Sequence, residues 1–295
     1  MLKKEGKTFK QLGDSSILIQ FKDINSMIMN ENMLKNTFKV LMSCLILTTG
    51  TVKAQIDTIR VKDKRLMTSV LKPGLKQYLV YYQSPKNTKN LRFWFWTRNI
   101  QKQTRNGAPV FTISQQWFGN DTTSYRAIYS VNRATDFAPV YHMEATIGKK
   151  RAYNWSDSKI TGADTVNNNI HKTFSLDFSS PNFNWNLDIE TFEMLPLKAG
   201  KTFAINFYDA ALEPPKYVLY KVSGSEILAT LDNKKVDCWK LYTEGSGKDG
   251  TYTQTFWISK KQHEFLKAES FYAGLYGYKI KLPEGAPDFP GKFIK

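Results

Sequence analysis

The chain has 295 residues, 41% of them hydrophobic, with 42 Lys and Arg against 26 Asp and Glu, a formal net charge of +16 and two cysteines. That composition can bury a full core, and so few cysteines exclude a disulfide-held scaffold, so stability must come from packing. With three histidines and no G-x-S-x-G, the usual nucleophile and metal constellations are missing as well.

The first element in chain order is a leader. In "KNTFKVLMSCLILTTGTVKAQ", Lys35 and Lys39 precede the apolar run Val40 to Leu47, and Val52 and Ala54 are small enough for signal peptidase to cut between Ala54 and Gln55. Residues 33–54 therefore read as a signal peptide starting at Met33, with 1–32 an upstream extension outside the fold. The apolar run is far below the roughly 20 residues of a membrane span. "LMSC" also fits a lipobox with Cys44 as lipidated residue, but apolar Leu45 to Leu47 continue where a lipoprotein turns polar. Cleavage removes eight basic and four acidic residues and leaves 241 residues at +12, expected to form a single β-rich domain over 55–295; a division into two β lobes near 180–195 is the alternative.

Lysines are scattered, with pairs at 149, 234 and 260 and no long basic run. A solvated basic surface is the preferred reading over a polyanion groove, and export argues against nucleic acid. Cys238, in the alternating "VDCWKLY", reads as a small buried residue.

From residue 76 onward period-two alternation dominates, the signature of half-buried antiparallel strands. "VFTISQQW" sets Phe111, Ile113 and Trp117 on one face, and "SYRAIYSV" sets Tyr125, Ala127, Tyr129 and Val131 opposite Arg126 and Ser130. Similar runs recur at 76–84, 137–146, 201–208, 216–222, 235–243, 251–259, 264–272 and 276–282, linked by turn formers such as "TRNGA" and "SKKQ". The pattern predicts a mainly β fold, a strongly curved antiparallel meander sheet, open and barrel-like. One short helix is predicted in "NWNLDIETFEMLPL". Trp185, Ile189, Phe192 and Leu195 recur at helical spacing, Asn184 caps, Asp188 and Glu190 suit the positive end, and Pro196 stops it. Its apolar face is expected to cover the concave side of the sheet. The proline-rich tail "LPEGAPDFPGKFIK" predicts an extended surface arm.

Several places invite a chemical reading. In "LRFWFWTR", Arg92, Trp94, Trp96 and Arg98 share one face. Such a ladder either sits between packed layers or, with Trp117 and Trp155, lines a ligand groove, the indoles stacking on a sugar or lipid and the guanidiniums holding an anion. In "YHMEA", His142 and Glu144 share a strand face with no third metal ligand in view. "KKQHEFLK" starts like a zinc-peptidase helix but has Lys267 where the second histidine belongs, and "EGSGKDG" lacks the phosphate-loop glycine and hydroxyl, carrying Tyr242 and Asp249 instead. No cofactor or metal is expected.

The run "MLPLKAGKTFAINFYDA", "YVLYKVSGSEIL", "VDCWKLYTEG", "TFWISKKQHEFLKAES" and "YGYKIKL" resembles the secreted bacterial β-domain family catalogued as domain of unknown function thirty-one zero eight. The likeness covers about 185–282, with looser agreement in "YHMEATIGKKRAYNW". It implies an envelope protein with a curved antiparallel sheet and no assigned activity, and brings no catalytic residues. The "KAQ" cleavage site resembles those of one large group of Gram-negative bacteria, in which Asp-Thr triplets resemble O-glycosylation sites; Thr58, Thr122 and Thr165 are the candidates here.

Two classes of function follow. The preferred one is a non-catalytic binding or structural protein of the periplasm or outer membrane, peripherally associated with a membrane, whose groove takes a lipid, a glycan or a segment of an envelope protein. The alternative is an envelope enzyme acting on glycan through paired carboxylates, Glu144 with Asp157 or Asp164. A third, weaker reading is a basic surface for anionic envelope polymer.

Overall fold

The structure is a computed structural model and describes residues 56–119, 121–247 and 250–286. The leader with its cleavage at Ala54 and Gln55, Cys44, residues 1–32 and the tail from Pro287 onward lie outside them.

The described chain opens with β1 (Ile56–Ile59). A first antiparallel meander follows: β2 (Gly74–Ser84), β3 (Asn87–Arg105), β4 (Ala108–Gly119), β5 (Arg126–Arg133), β6 (Pro139–Thr146), β7 (Lys149–Trp155), β8 (Lys159–Gly162) and β9 (Ser175–Asp177). After β10 (Phe183–Asn184) and helix α1 (Asp188–Glu193) comes a second: β11 (Thr202–Tyr208), β12 (Lys216–Ala229), β13 (Lys235–Gly247), β14 (Gly250–Ser259), β15 (Phe265–Tyr272) and β16 (Leu275–Lys281). β16 pairs with β2 from Tyr276↔Gln83 to Lys281↔Tyr78 and joins both meanders into one large curved sheet that does not close. β9 lies at one edge and β1 at the other. The antiparallel pattern is broken at that second edge, where β1 and β10 both run parallel to β11.

Alternating side chains and tight turns account for most of this. The β3–β4 hairpin turns on Asn106 and Gly107, with φ of 50° and 77°, the left-handed pair that matches the twist of a two-residue hairpin. Glycine and asparagine adopt it with least strain.

The segment before β11 becomes helical because its ends are satisfied locally. The Asn184 side chain accepts from the Asn186 N–H at 3.0 Å, capping a 3-10 turn over Trp185–Leu187 that leads into α1. Leu187, Ile189, Phe192, Met194 and Leu195 enter the main core beside Phe203, Tyr220, Leu241, Phe256 and Phe265. Each contributes about 1.5–3 kcal/mol by leaving water. The sequence pattern predicts one covered face; the structure buries α1 on the others too, with Glu190 and Glu193 only 1% and 2% exposed. Two cations of the sheet neutralise those acids, and they shape the inner face.

Candidate ligand-binding surfaces

Alternation along β3 sends Trp94, Trp96 and Arg98 to the inner face, the side that packs on α1, and Phe93 and Phe95 to the outer one. Trp96 is 1% exposed and stacks on Trp117 at 4.4 Å between ring centres. Arg98, equally buried, lies 4.5 Å from the Trp96 ring centre and forks onto Glu190, with Nε donating to Oε1 at 2.6 Å and Nη2 to Oε2. Gln115 ties the layer together: its Oε1 accepts from Trp96 Nε1 at 3.2 Å and Arg98 Nη1 at 3.3 Å, and its Nε2 donates to the Asn186 carbonyl at 2.8 Å. Burial works against the charge on Arg98, but the Glu190 carboxylate outweighs it and holds the guanidinium above its ordinary range. Glu193 accepts from Lys76 at 2.8 and 2.9 Å and from the Phe265 N–H at 2.9 Å; burial still leaves its carboxyl raised.

The predicted ligand ladder is therefore divided. Trp96 and Arg98 are buried in the core under the helix, where Arg98 is paired with Glu190, in place of the exposed groove position envisaged for them. Trp94 is half-buried at the rim, edge-on to Tyr82 at 5.8 Å, Trp117 is half-buried beside Trp96, and Arg92 is exposed on the same face further out. Trp155 is not with them. It is 5% exposed in a second apolar cluster with Tyr153, Ile160 and Tyr208.

His142 is likewise internal. Its Nδ1 lies 3.0 Å from both Ser130 Oγ and Asn184 Nδ2, and burial, with Arg126 nearby, pushes the imidazole down to about 3. A histidine held neutral in the fold but free to take a proton near pH 6.5 when unfolded stabilises fully above pH 6.5 and progressively less as pH falls toward 3. Urea denaturation at pH 7 and pH 5 is expected to differ by about 2 kcal/mol from this group, and His142→Gln to remove most of that difference. An unchanged difference in the variant would assign the pH dependence elsewhere.

The acid pairs envisaged for an enzyme do not form as free carboxylates. Glu144 is held by Arg126 Nε at 2.8 Å, Asp157 by Arg133 at 3.0 Å, and Asp164 is exposed in the loop after β8. Among the described residues no group of three His, Cys, Asp or Glu side chains is placed to hold a metal, and no helix is long and apolar enough to cross a membrane. Of the modification candidates, Thr165 is exposed in that loop. Thr58 lies half-buried in β1, paired with Ala204.

A recess also lies on the opposite face. Trp257 falls between Phe256 and Ile258 of the main core, so alternation turns it outward, where it packs with Cys238, Leu266, Leu228 and Val236. Burial raises the Cys238 thiol to about 11, which makes it an inert packing group. Over this cluster opens a groove of about 700 Å3, floored by Leu228, Val236, Leu266, Ile280 and Leu282. Its rim carries Lys234, Lys235, Lys260, Lys261, Lys267 and Lys281 against Asp232, Asp237, Glu264 and Glu284. Lys234, Lys260 and Lys281 pair with Asp232, Asp237 and Glu264 at 2.7 to 2.9 Å; Lys235 and Lys261 make no ion pair among the described residues. Sequence reasoning missed this site because its walls come from three separate segments. The lysine pairs at 234 and 260 were its visible trace.

A family model described as "Protein of unknown function (DUF3108)" matches residues 77–281, more than half of the chain. No curated protein matches the sequence. Among solved structures, a beta-barrel-like protein of domain of unknown function DUF1849 from Brucella abortus aligns with a TM-score of 0.48 at 10% identity, covering 72% of this chain and 96% of that one. Lipoprotein LppX from Mycobacterium tuberculosis aligns at TM-score 0.24 and 8% identity over 77% and 95%, and a DUF1329 family protein from Desulfovibrio piger at 0.26 and 10% over 75% and 91%.

Proposed function

The chain belongs to the DUF3108 family of proteins of unknown function, and from that premise we propose that it is an exported, non-catalytic binding protein of the bacterial envelope that holds an anionic amphiphile in its outer groove. One observation carries this reading: an apolar floor beneath a rim of six lysines and four acids, in a recess of about 700 Å3. That size falls within the range of small-molecule sites. An acyl chain on Leu228, Val236 and Leu266 gains about 25 cal/mol per Å2 of apolar surface removed from water. An anionic headgroup then finds Lys235 and Lys261 without displacing an acid already in place. The leader predicted over 33–54 supplies the export, and the domain over 55–295 acts as a single binding unit.

The test is a titration of the folded protein with lysophosphatidylglycerol and, for contrast, zwitterionic lysophosphatidylcholine. Saturable binding of the anionic lipid, weakened by salt, is expected. Leu228→Glu, at a half-buried floor position, should lower its affinity about tenfold or more by setting a carboxylate against the chain. Lys235→Gln/Lys261→Gln should erase the preference for the anionic lipid. Equal binding by wild type and Leu228→Glu would rule the groove out.

A further inference from the structure

Apart from that groove, the inner face carries a partly buried cation, Lys279, that makes no ion pair among the described residues. Lys279 of β16 stands opposite Val80 on β2 and Ala268 on β15, both core residues, so its stem runs inward. Its Nζ lies 5.2 Å from the Trp96 ring centre, and among the described residues it makes no ion pair. Every other cation turned to this face beneath the helix has an acid: Arg98 has Glu190 and Lys76 has Glu193. Burial pushes the Lys279 ammonium down while the more distant Asp188 carboxylate pulls the other way.

Beside it is a cavity of about 60 Å3 whose lining includes Tyr82, Gln254, Ser270, Gly277 and Lys279, and also Glu269, whose carboxylate is paired with Lys267 at 2.6 Å. Gly277 keeps one wall bare: a Cβ there would come within 2.4 Å of Ser270 Oγ and 2.7 Å of the Tyr82 ring. The cavity wall also offers hydrogen-bond donors, the Ser270 hydroxyl and the Gln254 amide. A cation without an ion-pair partner beside such donors suits a guest that accepts hydrogen bonds. The space holds roughly four waters, or one carboxylate with its first carbons.

We propose that this cavity is a monocarboxylate site, with Lys279 as the counter-ion and the aromatic rim of Tyr82 and Trp94 receiving the carbon chain. It is separate from the outer groove. A short free acid and the head of a long-chain acid present the same carboxylate, and they differ in whether the rim adds affinity.

Calorimetric titration with butyrate, decanoate and decanol separates the cases. Both acids are expected to bind and decanol not to, with decanoate the tighter if the rim holds the chain and equal to butyrate if the cavity takes only the head. Lys279→Met keeps the stem and removes the charge, and is expected to fold at least as stably as wild type, which near-ultraviolet circular dichroism checks. It should lose about tenfold or more in affinity for butyrate, which has no chain for the outer groove, whereas Leu228→Glu in the groove should leave butyrate binding unchanged. On the wild-type protein itself, butyrate should shift the Lys279 side-chain nitrogen resonance and the Trp96 indole signal. Absence of binding by both acids at millimolar concentration, equal affinity of Lys279→Met, or an unmoved Lys279 resonance overturns the proposal. Loss of carboxylate binding in Leu228→Glu with Lys279→Met unaffected would transfer it to the groove.

Discussion

Replacing Arg98 by alanine is expected to lower stability by about 3–5 kcal/mol, because it strands the Glu190 carboxylate in a site 1% exposed. The pair links β3 to α1 across 92 residues of chain, and the same guanidinium also donates to Gln115 and to the Asn186 carbonyl. Removing it therefore orphans the carboxylate, while Gln115 Oε1 keeps Trp96 Nε1 as donor and the Asn186 carbonyl keeps Gln115 Nε2. The helix is the element expected to loosen first. Arg98→Met/Glu190→Leu, which removes both charges at similar volume, is expected to recover most of the loss, since two apolar side chains replace a buried pair at little net cost. Denaturant melts of the wild type, the single and the double variant check this. A double variant as unstable as the single would show that geometry, not an uncompensated charge, is what the pair supplies.

Phe192→Ala is expected to cost a comparable 3–5 kcal/mol, lowering the melting temperature by roughly 10 °C for a chain of this size. Phe192 is fully buried and meets Tyr220 and Phe256 at 4.7 Å and Phe207 at 6.2 Å, so it touches β11, β12 and β14 at once. Truncation leaves a cavity where three strands and the helix converge. Phe192→Leu keeps most of the volume and should lose much less. A thermal melt of Phe192→Ala within a degree or two of wild type would mean that the helix does not hold the curved sheet together.

How far the sequence discloses this arrangement depends on the residue. The strands, the "NG" turn and the helix with its Asn184 cap follow from local chemistry, and local chemistry is what a sequence displays. Which face turns inward is a different matter. In β5 the apolar set Tyr125, Ala127, Tyr129 and Val131 reads as the core face, yet Tyr129 lies opposite exposed Ser114, and it is Arg126 and Ser130 that lie opposite the core-packed Trp117 and Ile113. A polar network with His142, Asn184 and Asn186 takes those two polar side chains, and its members come from distant segments. Glu190 and Glu193 mislead for the same reason. In the sequence they look like the wet face of a helix; only the fold brings Arg98 and Lys76 to them. The short parallel strand β1 carries too few residues to show a period, and the groove floor is assembled from β12, β13, β15 and β16, so no window of sequence contains it.

The helix and its ion pairs fill most of the inner face, and the proposed place for a lysolipid is the outer groove. Photo-crosslinking with an anionic lysolipid bearing a reactive group on its acyl chain, mapped by mass spectrometry, tests that assignment most directly. Saturable labels on residues 228–237, 260–267 and 280–284, competed by unlabelled lipid, are the predicted result. Labels concentrated at Trp94 and Trp117 instead would place the lipid on the inner rim and contradict the account.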